Sequence, residues 1–439
     1  MTPFEPVLTR NIHREDSRTL EGYKKTGGYS ALERVLKTMT PDEVIEEVKA
    51  SNLRGRGGAG FPAGAKWGFI PRDSGKPTYL INNADESEPG TFKDRLLMKE
   101  VPHMVLEGTI IASYAIRSHT AIIYIRGEFY DEYGILNAAI EEASGANLLG
   151  KDILGSGYDL DVIVHRGAGA YIAGEETALL ESLEGKRTWP RIKPPFPAIK
   201  GYLESPTIVN NVETLACVPH IIERGAGWFR SIGPEKGPGP KLFCLSGRVN
   251  RPGVYELPMG VSLEELIYDH GKGIKDNKRL KAVLPGGSSS AVLAAQEIEG
   301  LTMDFESMAE RNTMLGSAGI IVMDETADMV QVALNLARFY AHESCGQCTP
   351  CREGTGWLVQ VLTRLVNGAG RRDDLALILD LTVNIGGLSD LSQGNLGKTI
   401  CPFGEAVSWP IRTLVEKFKE EFVSYLPEKE EAANTVSDR

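Results

Sequence analysis

Four of the six cysteines lie in the last hundred residues, and three of them form a tight repeat. Cys345, Cys348 and Cys351 are spaced C-x2-C-x2-C within ESCGQCTPCREG, and Cys401 follows much later in a Cys-Pro pair. A 4Fe-4S cluster needs four thiolates, and three from one loop plus one from elsewhere meet that need. Zinc sites more often pair two separate C-x2-C knuckles. The spacing therefore favours an iron-sulfur cluster, with structural zinc as the alternative.

A second stretch with possible chemistry is LRGRGGAGFPAGAKW, residues 53–67. Its glycines fit G-x-G-x-x-G, which marks a dinucleotide site when a strand enters the loop and a helix leaves it. Here the upstream stretch TPDEVIEEVKAS predicts a helix with a capping box at Thr40 and Glu43, and Pro62 prevents a long helix downstream. The standard fingerprint is therefore rejected. Two interpretations remain. The stretch is either a loop that wraps a phosphate-bearing or flat ligand with bare N–H groups, or a turn-rich connector.

Polar side chains follow two predicted strands. NNADESEPG comes after the strand PTYLIN (77–82), and GAGAYIAGEET comes after the strand LDVIVHR (160–166). Ligands of parallel sheets bind beyond the carboxyl ends of the strands, so these clusters are candidate binding residues. Helix N-caps and solvated acids are the alternative for each cluster alone.

The elements around these motifs alternate between strand and helix. Between the two strands named above, we predict a helix at VPHMVLEGTIIASYAIR, a strand at TAIIYIRGEF and a helix at YGILNAAIEEAS. After the second of those strands, we predict a further helix at GEETALLESLEG. This alternation predicts a mostly parallel sheet covered on both faces.

The sequence changes character near residue 240. GPEKGPGPKL is a Gly/Pro linker, and KLFCLSGRVNRPGVYELPMG predicts two strands around an N-R-P-G turn. SLEELI predicts a helix with a capping box at Ser262 and Glu265, and KAVLPGG and AGIIVM predict further strands. We interpret this part as a small α+β unit without a chemical motif. From about residue 326, four amphipathic stretches predict a helical bundle, and the tail EKEEAANTVSDR is predicted to be disordered.

Composition excludes several classes of protein. The 439 residues are 42% hydrophobic, enough for two to four globular domains. No apolar run approaches the roughly 20 residues of a membrane span, and the N-terminus has no signal-peptide pattern. The formal net charge of −11 argues against nucleic-acid binding. Six cysteines are too few for a disulfide scaffold, which favours a reducing compartment and leaves Cys217 and Cys244 as packing residues.

A nucleotide-type site and an iron-sulfur centre in one chain imply electron transfer. Hydride donors deliver two electrons together, whereas a cluster accepts one. A flavin can divide the pair.

Six motifs together resemble one family. The motifs are RGRGGAGFPAGAKW, NADESEPGTFKDR, GAGAYIAGEETALLESLEGKR, PPFPA, NNVET and FYAHESCGQCTPCREG. Together they are similar to the NADH-binding flavoprotein subunits of respiratory complex I, which carry FMN and a 4Fe-4S cluster. The resemblance runs from about residue 20 to 420. It departs at Asn82 and Ala173, which are often cysteine in this family and carry no ligand role here.

The resemblance implies two sets of binding residues besides the four cluster cysteines. FMN is expected to be held by Gly55, Arg56, Gly57, Lys66, Asn83, Asp85, Glu86, Tyr171, Gly174, Glu175, Glu176, Asn210, Asn211 and Thr214. NADH, the substrate, is expected to lie near Gly58, Phe61, Phe69, Glu88 and Phe196. Without the family, Asn210 and Asn211 would be interpreted as a turn with local side-chain bonds, and the three phenylalanines as core.

The expected fold is α/β: a variant Rossmann-like parallel sheet domain, a small α+β ubiquitin-like (β-grasp) domain and a C-terminal four-helix bundle. The expected boundaries are 1–62 (helical segment and glycine loop), 63–238 (FMN/NADH domain), 239–325 (β-grasp), 326–425 (bundle with cluster) and 426–439 (tail).

The resemblance also implies an activity and a setting. The chain is expected to oxidise NADH by hydride transfer to FMN and to pass electrons through the cluster toward quinone. A thioredoxin-like 2Fe-2S subunit and a larger multi-cluster subunit are the expected partners, on the cytoplasmic side of the inner membrane, or the matrix side in a mitochondrion. A diaphorase subunit of an NAD-reducing hydrogenase or formate dehydrogenase is one alternative, and a non-catalytic, zinc-stapled scaffold is another.

Overall fold

The computed structural model describes residues 4–387 and 398–427. The chain divides into two compact units, one up to Glu325 and one from Thr326 onward. Residues 428–439 of the tail predicted to be disordered lie outside the described residues.

Four short helices precede the first strand. They are α1 (Leu20–Lys25), α2 (Ser30–Thr38), α3 (Pro41–Ala50) and α4 (Ala63–Trp67). The predicted capping box of α3 is confirmed, since Thr40 and Glu43 bond each other's backbone N–H groups. The five residues of α4 confirm that no long helix begins on the glycine loop.

Two buried glutamates fasten the N-terminal part to distant elements. Glu256 accepts hydrogen bonds from the backbone N–H groups of Val7, Leu8 and Thr9 at 2.7–2.8 Å. Glu107 accepts from Tyr29 N and Leu32 N, both at 3.0 Å, and so caps the start of α2 from outside the helix.

The first sheet has four strands, all parallel. The strands are β1 (Tyr79–Ala84), β2 (Thr120–Ile125), β3 (Asp161–Arg166) and β4 (Thr207–Asn211). The helices around them are α5 (Lys93–Glu100), α6 (Pro102–Ala115), α7 (Tyr130–Gly145), α8 (Glu176–Leu183), α9 (Pro197–Lys200), α10 (Val212–Arg224) and α11 (Ala226–Arg230). The predicted parallel sheet and its alternation with helices are confirmed, whereas β4 and the helices α5, α9, α10 and α11 were not predicted.

Alternating side chains of these strands face opposite sides of the sheet. Leu80 and Ile123 belong to the large core shared with α6 and α10. Ile81, Ile122 and Val209 point the other way and pack with residues of α8. Both faces are therefore covered, as predicted.

The strand order, β3-β2-β1-β4, reverses once. The chain moves outward from β1 through β2 to β3 and then returns to place β4 on the other side of β1. The connections leaving β1 and β4 therefore diverge at the carboxyl edge, which is where sheets of this kind bind their ligands. We call the edge between the ends of β1 and β4 the crevice.

The rest of the first unit is a mixed five-stranded sheet. Its elements are β5 (Pro240–Gly247), β6 (Gly253–Pro258), β7 (Leu280–Leu284), β8 (Leu293–Ala294), α12 (Phe305–Glu310) and β9 (Gly319–Asp324). The order is β6-β5-β9-β7-β8, with β5 parallel to β9 and the other neighbours antiparallel. The predicted hairpin and the predicted strand at 318–323 are confirmed. The strand predicted at 281–287 is confirmed as far as Leu284, and residues 285–287 belong to a loop.

The predicted capping box at Ser262 and Glu265 is wrong. The Ser262 hydroxyl accepts from Glu264 N at 3.2 Å, while the Glu265 carboxylate lies 3.5 Å from His270 Nε2. The segment Glu265–His270 is wound as a wider π-helical turn, so Glu265 does not face back toward Ser262.

The second unit consists of helices. They are α13 (Met329–Glu343), α14 (Thr349–Val366), α15 (Asp374–Gly386), α16 (Phe403–Lys417) and α17 (Lys419–Ser424). α13 packs on α14, α14 on α15, α15 on α16, and α16 back on α13. The last predicted helix is thus two helices, and the first begins directly after Pro402. Within the described residues, no helix is long and apolar enough to cross a membrane.

Candidate functional site

The glycine loop lies at the crevice between β1 and β4. Arg56 N donates to the Thr214 hydroxyl at 2.8 Å, and Trp67 Nε1 donates to Asn210 Oδ1 at 2.8 Å. A Cβ on Gly57 would come within 2.9 Å of Asn211 Cβ. The loop is therefore fixed against the end of β4 and the start of α10.

The arginines of this loop face other parts of the protein. The Arg56 side chain is fully buried, and its Nη2 donates to Pro238 O at 2.6 Å. The Arg54 guanidinium stacks 3.9 Å from the centroid of the Phe305 ring and pairs with Glu306 at 2.7 Å. A ligand at this loop would therefore meet backbone N–H groups and not guanidinium groups.

The two polar clusters predicted at the strand ends lie together. Asn83 Nδ2, at the end of β1, donates to Gly174 O at 2.9 Å, and the Ser87 hydroxyl lies 3.5 Å from Tyr171 O. The loop after β3 therefore folds across the end of β2 to reach β1. One edge of the sheet gathers both clusters beside the glycine loop.

Glu86 and Glu88 play different parts in this arrangement. Glu86 is buried and accepts from the N–H groups of Lys93, Asp94 and Arg95 at 2.8–3.0 Å, which caps α5. Burial, with Asp94 beside it, raises the pKa of Glu86 to about 7. Glu88 is partly exposed and accepts from the Tyr171 hydroxyl at 2.6 Å.

Two lysines and two glutamates form a neutral cluster at the start of α8. Lys66 Nζ lies 2.9 Å from Glu176, and Lys193 Nζ lies 3.0 Å from Glu175 and 3.1 Å from Glu176. Burial opposes ionisation of Glu176, but Lys66 and Lys193 outweigh it and lower its pKa. Lys66 also donates to Val209 O at 2.9 Å, which joins the cluster to β4.

Asn211 is the N-cap of α10 and not part of a simple turn. Its Oδ1 accepts from Glu213 N at 3.0 Å and Thr214 N at 3.4 Å. Its Nδ2 donates to Asp94 Oδ2 at 2.7 Å. The side chain is thus held by protein groups on both sides.

Behind Asn211 lies a buried chain of ion pairs. Lys93 Nζ is 2.8 Å from both Asp94 and Glu213, and Lys241 Nζ is 2.8 Å from Glu213. Burial opposes the charge on Glu213, but Lys241 and Lys93 hold its pKa down to about 2. Because Lys241 belongs to β5, this network joins the site to the second sheet.

Exposed aromatic rings lie in the glycine loop, just after it, and before α9. Phe61 and Phe69 are 48% and 55% exposed, and their ring centroids are 6.0 Å apart. Phe196, 58% exposed, precedes α9. Gly58 has φ +142° and open space where a Cβ would lie. Bare backbone beside exposed rings fits a flat, phosphate-bearing group such as a flavin or a nicotinamide nucleotide.

The candidate cluster ligands lie at the starts of two packed helices. Cys348 is the residue before α14, Cys351 lies in its first turn, and Cys401 lies two residues before α16. Burial raises the pKa of Cys351 to about 12, and the neighbouring Cys348 and Cys345 add to the effect. Three thiols on one loop and one at the adjoining helix are the donor set that a 4Fe-4S cluster takes.

The described residues form no site for a single metal ion. In residues 4–387 and 398–427, no three side chains of cysteine, histidine, aspartate or glutamate converge on one point as a bare metal ion would require.

Several residues of the site were missed from the sequence. Lys193 lies just before the PPFPA motif, and Lys93 and Asp94 lie inside NADESEPGTFKDR, so both motifs contained a signal. Ser288 and Ser289, in contact with Glu88, lie in a loop whose composition indicates only a turn.

Three family models match the chain. The Nuo51 FMN-binding domain matches residues 48–220, the SLBB domain residues 241–322, and the NADH-ubiquinone oxidoreductase-F iron-sulfur binding region residues 331–425.

Curated relatives match over nearly the whole chain. One of them, the F 2 subunit of NADH-quinone oxidoreductase in Rhizobium meliloti, is 52% identical, over 97% of this chain and 99% of the relative. The corresponding F subunit of Rickettsia bellii is 48% identical over the same shares, and that of Mycobacterium tuberculosis is 48% identical over 97% and 94%. Among solved structures, a chain of NAD+-reducing [NiFe]-hydrogenase in the H2-reduced state superposes with TM-score 0.83 and 36% identity, over 94% of this chain and 67% of that one.

Proposed function

The chain belongs to the family of NADH-quinone oxidoreductase F subunits, and from that premise we propose that it oxidises NADH with FMN and a 4Fe-4S cluster and delivers the electrons toward quinone. The observation that carries the proposal is the crevice between β1 and β4. There the glycine loop, the end of β1 and the start of α10 converge.

FMN is proposed to bind in this crevice. Gly57 would supply an N–H group, and Gly55 and Arg56, whose own N–H groups bond Phe61 O and the Thr214 hydroxyl, would hold the loop in place beside the cofactor. The polar residues gathered by the sheet edge would surround the rest of the cofactor. These are Lys66, Asn83, Asp85, Glu86, Tyr171, Gly174, Glu175, Glu176, Asn210, Asn211 and Thr214. A bound flavin would supply an acceptor for the hydride of NADH and a donor of single electrons. Because Glu86 and Asn211 are fully engaged with α5 and α10, we propose that they act mainly by holding the walls of the crevice.

NADH is proposed to bind over the open side of the same crevice. Phe61, Phe69 and Phe196 offer exposed ring faces for stacking against the nucleotide. Gly58 leaves space where any other residue would place a side chain, and Glu88 offers a carboxylate. We propose that the three phenylalanines exclude water from the face of the site at which NADH reacts.

The cluster is proposed to be held by Cys345, Cys348, Cys351 and Cys401, as the donor set described above allows. The hydrogenase neighbour supports an alternative assembly, in which this subunit would serve as a diaphorase. The greater identity to the NADH-quinone oxidoreductase relatives favours the first assembly.

The layout, partners and location are also proposals. We propose domains at 1–62, 63–238, 239–325 and 326–425, and the strand order of the second sheet supports a β-grasp assignment for the third. The relatives are named as subunits, which supports a multi-subunit complex. We propose that its other members include a thioredoxin-like 2Fe-2S subunit and a larger multi-cluster subunit. We place the chain peripherally on the cytoplasmic or matrix side.

An anaerobic ultraviolet-visible spectrum tests the proposal. Purified protein should be yellow-brown, with flavin and cluster absorption that bleaches when NADH is added. Dithionite serves as the positive control for reduction. A colourless preparation that contains zinc would instead identify a non-catalytic scaffold, and a coloured one that dithionite but not NADH bleaches would exclude NADH as the donor.

A further inference from the structure

A loop of the second sheet reaches the candidate nucleotide site. The loop 285–290, PGGSSS, follows β7 and lies against the segment that follows β1. Ser289 N donates to Glu88 Oε1 at 2.8 Å, and the Ser288 hydroxyl donates to the same oxygen at 3.1 Å. Ser288 N donates to Pro89 O at 3.1 Å. The second sheet, for which the sequence predicted no chemistry, therefore supplies donors to Glu88.

The approach of the two segments depends on glycine. Gly287 has φ +101°, and a Cβ there would lie 2.5 Å from Glu88 Cγ. The carbonyl oxygen of Gly319 accepts from Gly287 N at 2.7 Å. A Cβ on Gly319 would lie 2.6 Å from the Thr91 hydroxyl. Side chains at these positions would force the loop away from the segment that carries Glu88.

Both oxygens of the Glu88 carboxylate are consequently held. Oε1 accepts from Ser288 and Ser289, and Oε2 accepts from the Tyr171 hydroxyl at 2.6 Å. The Ser290 hydroxyl fixes the loop itself, since it donates to Gly287 O at 2.8 Å and accepts from Gly286 N at 3.1 Å. Because these donors lie on a rigid loop, they hold the Glu88 carboxylate in one orientation. A ligand that binds the carboxylate therefore does not have to restrict its rotation, and the entropic cost of binding is lower.

We propose that loop 285–290 is part of the NADH site and that Ser288 and Ser289 are positioning residues that orient Glu88 toward the nucleotide. The inference rests on the proposed function, in which Glu88 faces NADH. A carboxylate oriented in this way accepts hydrogen bonds from ribose hydroxyl groups, as acidic residues of other dinucleotide sites do. Loss of the loop contacts should therefore weaken NADH binding without removing FMN.

Steady-state oxidation of NADH with ferricyanide by the purified, flavin-loaded complex tests the inference. Ser288→Ala should raise KM for NADH about threefold, since one hydrogen bond to a carboxylate is lost, and Gly287→Ala about tenfold, since the whole carboxylate is displaced. In both variants kcat should stay within about twofold and FMN content should equal that of the parent, a split typical of weakened binding. Ser246→Ala is the matched control, because its hydroxyl bonds Ile320 O in the same sheet, at 3.1 Å.

A double-mutant cycle separates positioning from general stability. Glu88→Ala, which removes the acceptor, should raise KM by itself, and Ser288→Ala should add nothing in that background. An unchanged KM in Ser288→Ala, equal effects of Ser288→Ala with and without Glu88, or an unchanged KM in Glu88→Ala would each overturn the inference and leave the proposed function intact. If the parent complex failed to oxidise NADH, the proposed function itself would fail. If Gly287→Ala does not fold, Ser288→Ala alone tests the inference.

Discussion

Gly57 has no room for a side chain, and its nearest obstacle is another residue of the site. A Cβ there would lie 2.9 Å from Asn211 Cβ and 3.4 Å from its Cγ. Asn211 caps α10 and bonds Asp94, so it cannot move without disturbing both. The resemblance places Gly57 beside FMN, so from the sequence alone a side chain there would be expected to meet the ligand directly. The structure shows that it would first displace a wall of the crevice.

We therefore expect Gly57→Val to weaken FMN binding by about tenfold or more, where a factor of ten corresponds to about 1.4 kcal/mol. The flavin content of the purified variant, measured after desalting, checks this. Gly134→Ala is the matched control: Gly134 is exposed on α7 with no atom near the added Cβ, and the variant should keep its flavin. Full flavin content in a folded Gly57→Val protein would contradict the assignment.

The helix α5 depends on a carboxylate that lies outside it. Glu86 accepts from the first N–H groups of this helix, yet burial raises its pKa to about 7. Its folded pKa is thus above the value of about 4.5 expected in the unfolded chain. The folded state binds the proton more tightly, so the stabilisation is complete below pH 4.5 and is lost as the pH rises through about 7.

This sign gives a prediction for Glu86→Gln. The parent should lose up to about 3 kcal/mol of stability from this group between pH 5 and pH 8, because one pKa unit is about 1.36 kcal/mol. Gln cannot ionise, so the variant should show a flatter change in thermal midpoint across that range, whatever its offset at one pH. Glu33→Gln, an exposed partner of Lys37 on α2, should keep the parental profile. The same slope in Glu86→Gln and the parent would refute the expectation.

Among the strands and helices, hydrophobic periodicity predicted those whose sequences show a clear strand or helix period. The strands β1 to β3 and the helices between them follow from apolar runs and helical spacing. By contrast, β4 was missed because its five residues, TIVNN, end in two asparagines that are typical of a turn. The buried pairs of Lys93 and Lys241 with Glu213 could not be predicted, because 28 residues separate Lys241 from Glu213 and only the fold joins them. The loop 285–290 was missed for the same reason, since its serines act on a residue 200 positions away.

For the molecule as a whole, the two proposed redox centres belong to separate compact units. The proposed FMN residues end at Thr214 and the loop 285–290 proposed for NADH also precedes Glu325, while the four cysteines all lie beyond Thr326. Damage to one centre should therefore leave the other intact.

Cys401→Ser tests this separation. Cys401 is the one candidate ligand outside the 345–351 loop, so the variant should lose most of its iron and acid-labile sulfide. It should keep FMN and still oxidise NADH with ferricyanide, which can take electrons from the flavin, while electron delivery to partner clusters fails. Iron and flavin analysis and the ferricyanide assay measure these outcomes.

The control for this variant is Cys217→Ser. Cys217 is fully buried on α10, and a serine hydroxyl there can meet the neighbouring Arg56 side chain, so the iron content should not change. Full iron in the Cys401 variant, or loss of iron in the Cys217 variant, would show that the fourth ligand is assigned wrongly.

The bonds from Glu256 to the N-terminal segment impose an order on biosynthesis. Thr9 N bonds a carboxylate 247 residues further along the chain. At about 5–20 residues per second, the ribosome needs about 10 to 50 s to make that partner after the segment has been synthesised. During this delay the N–H groups of Val7, Leu8 and Thr9 have no native acceptor. These bonds therefore cannot form before residue 256 has been synthesised, and a chain released before that residue would lack them.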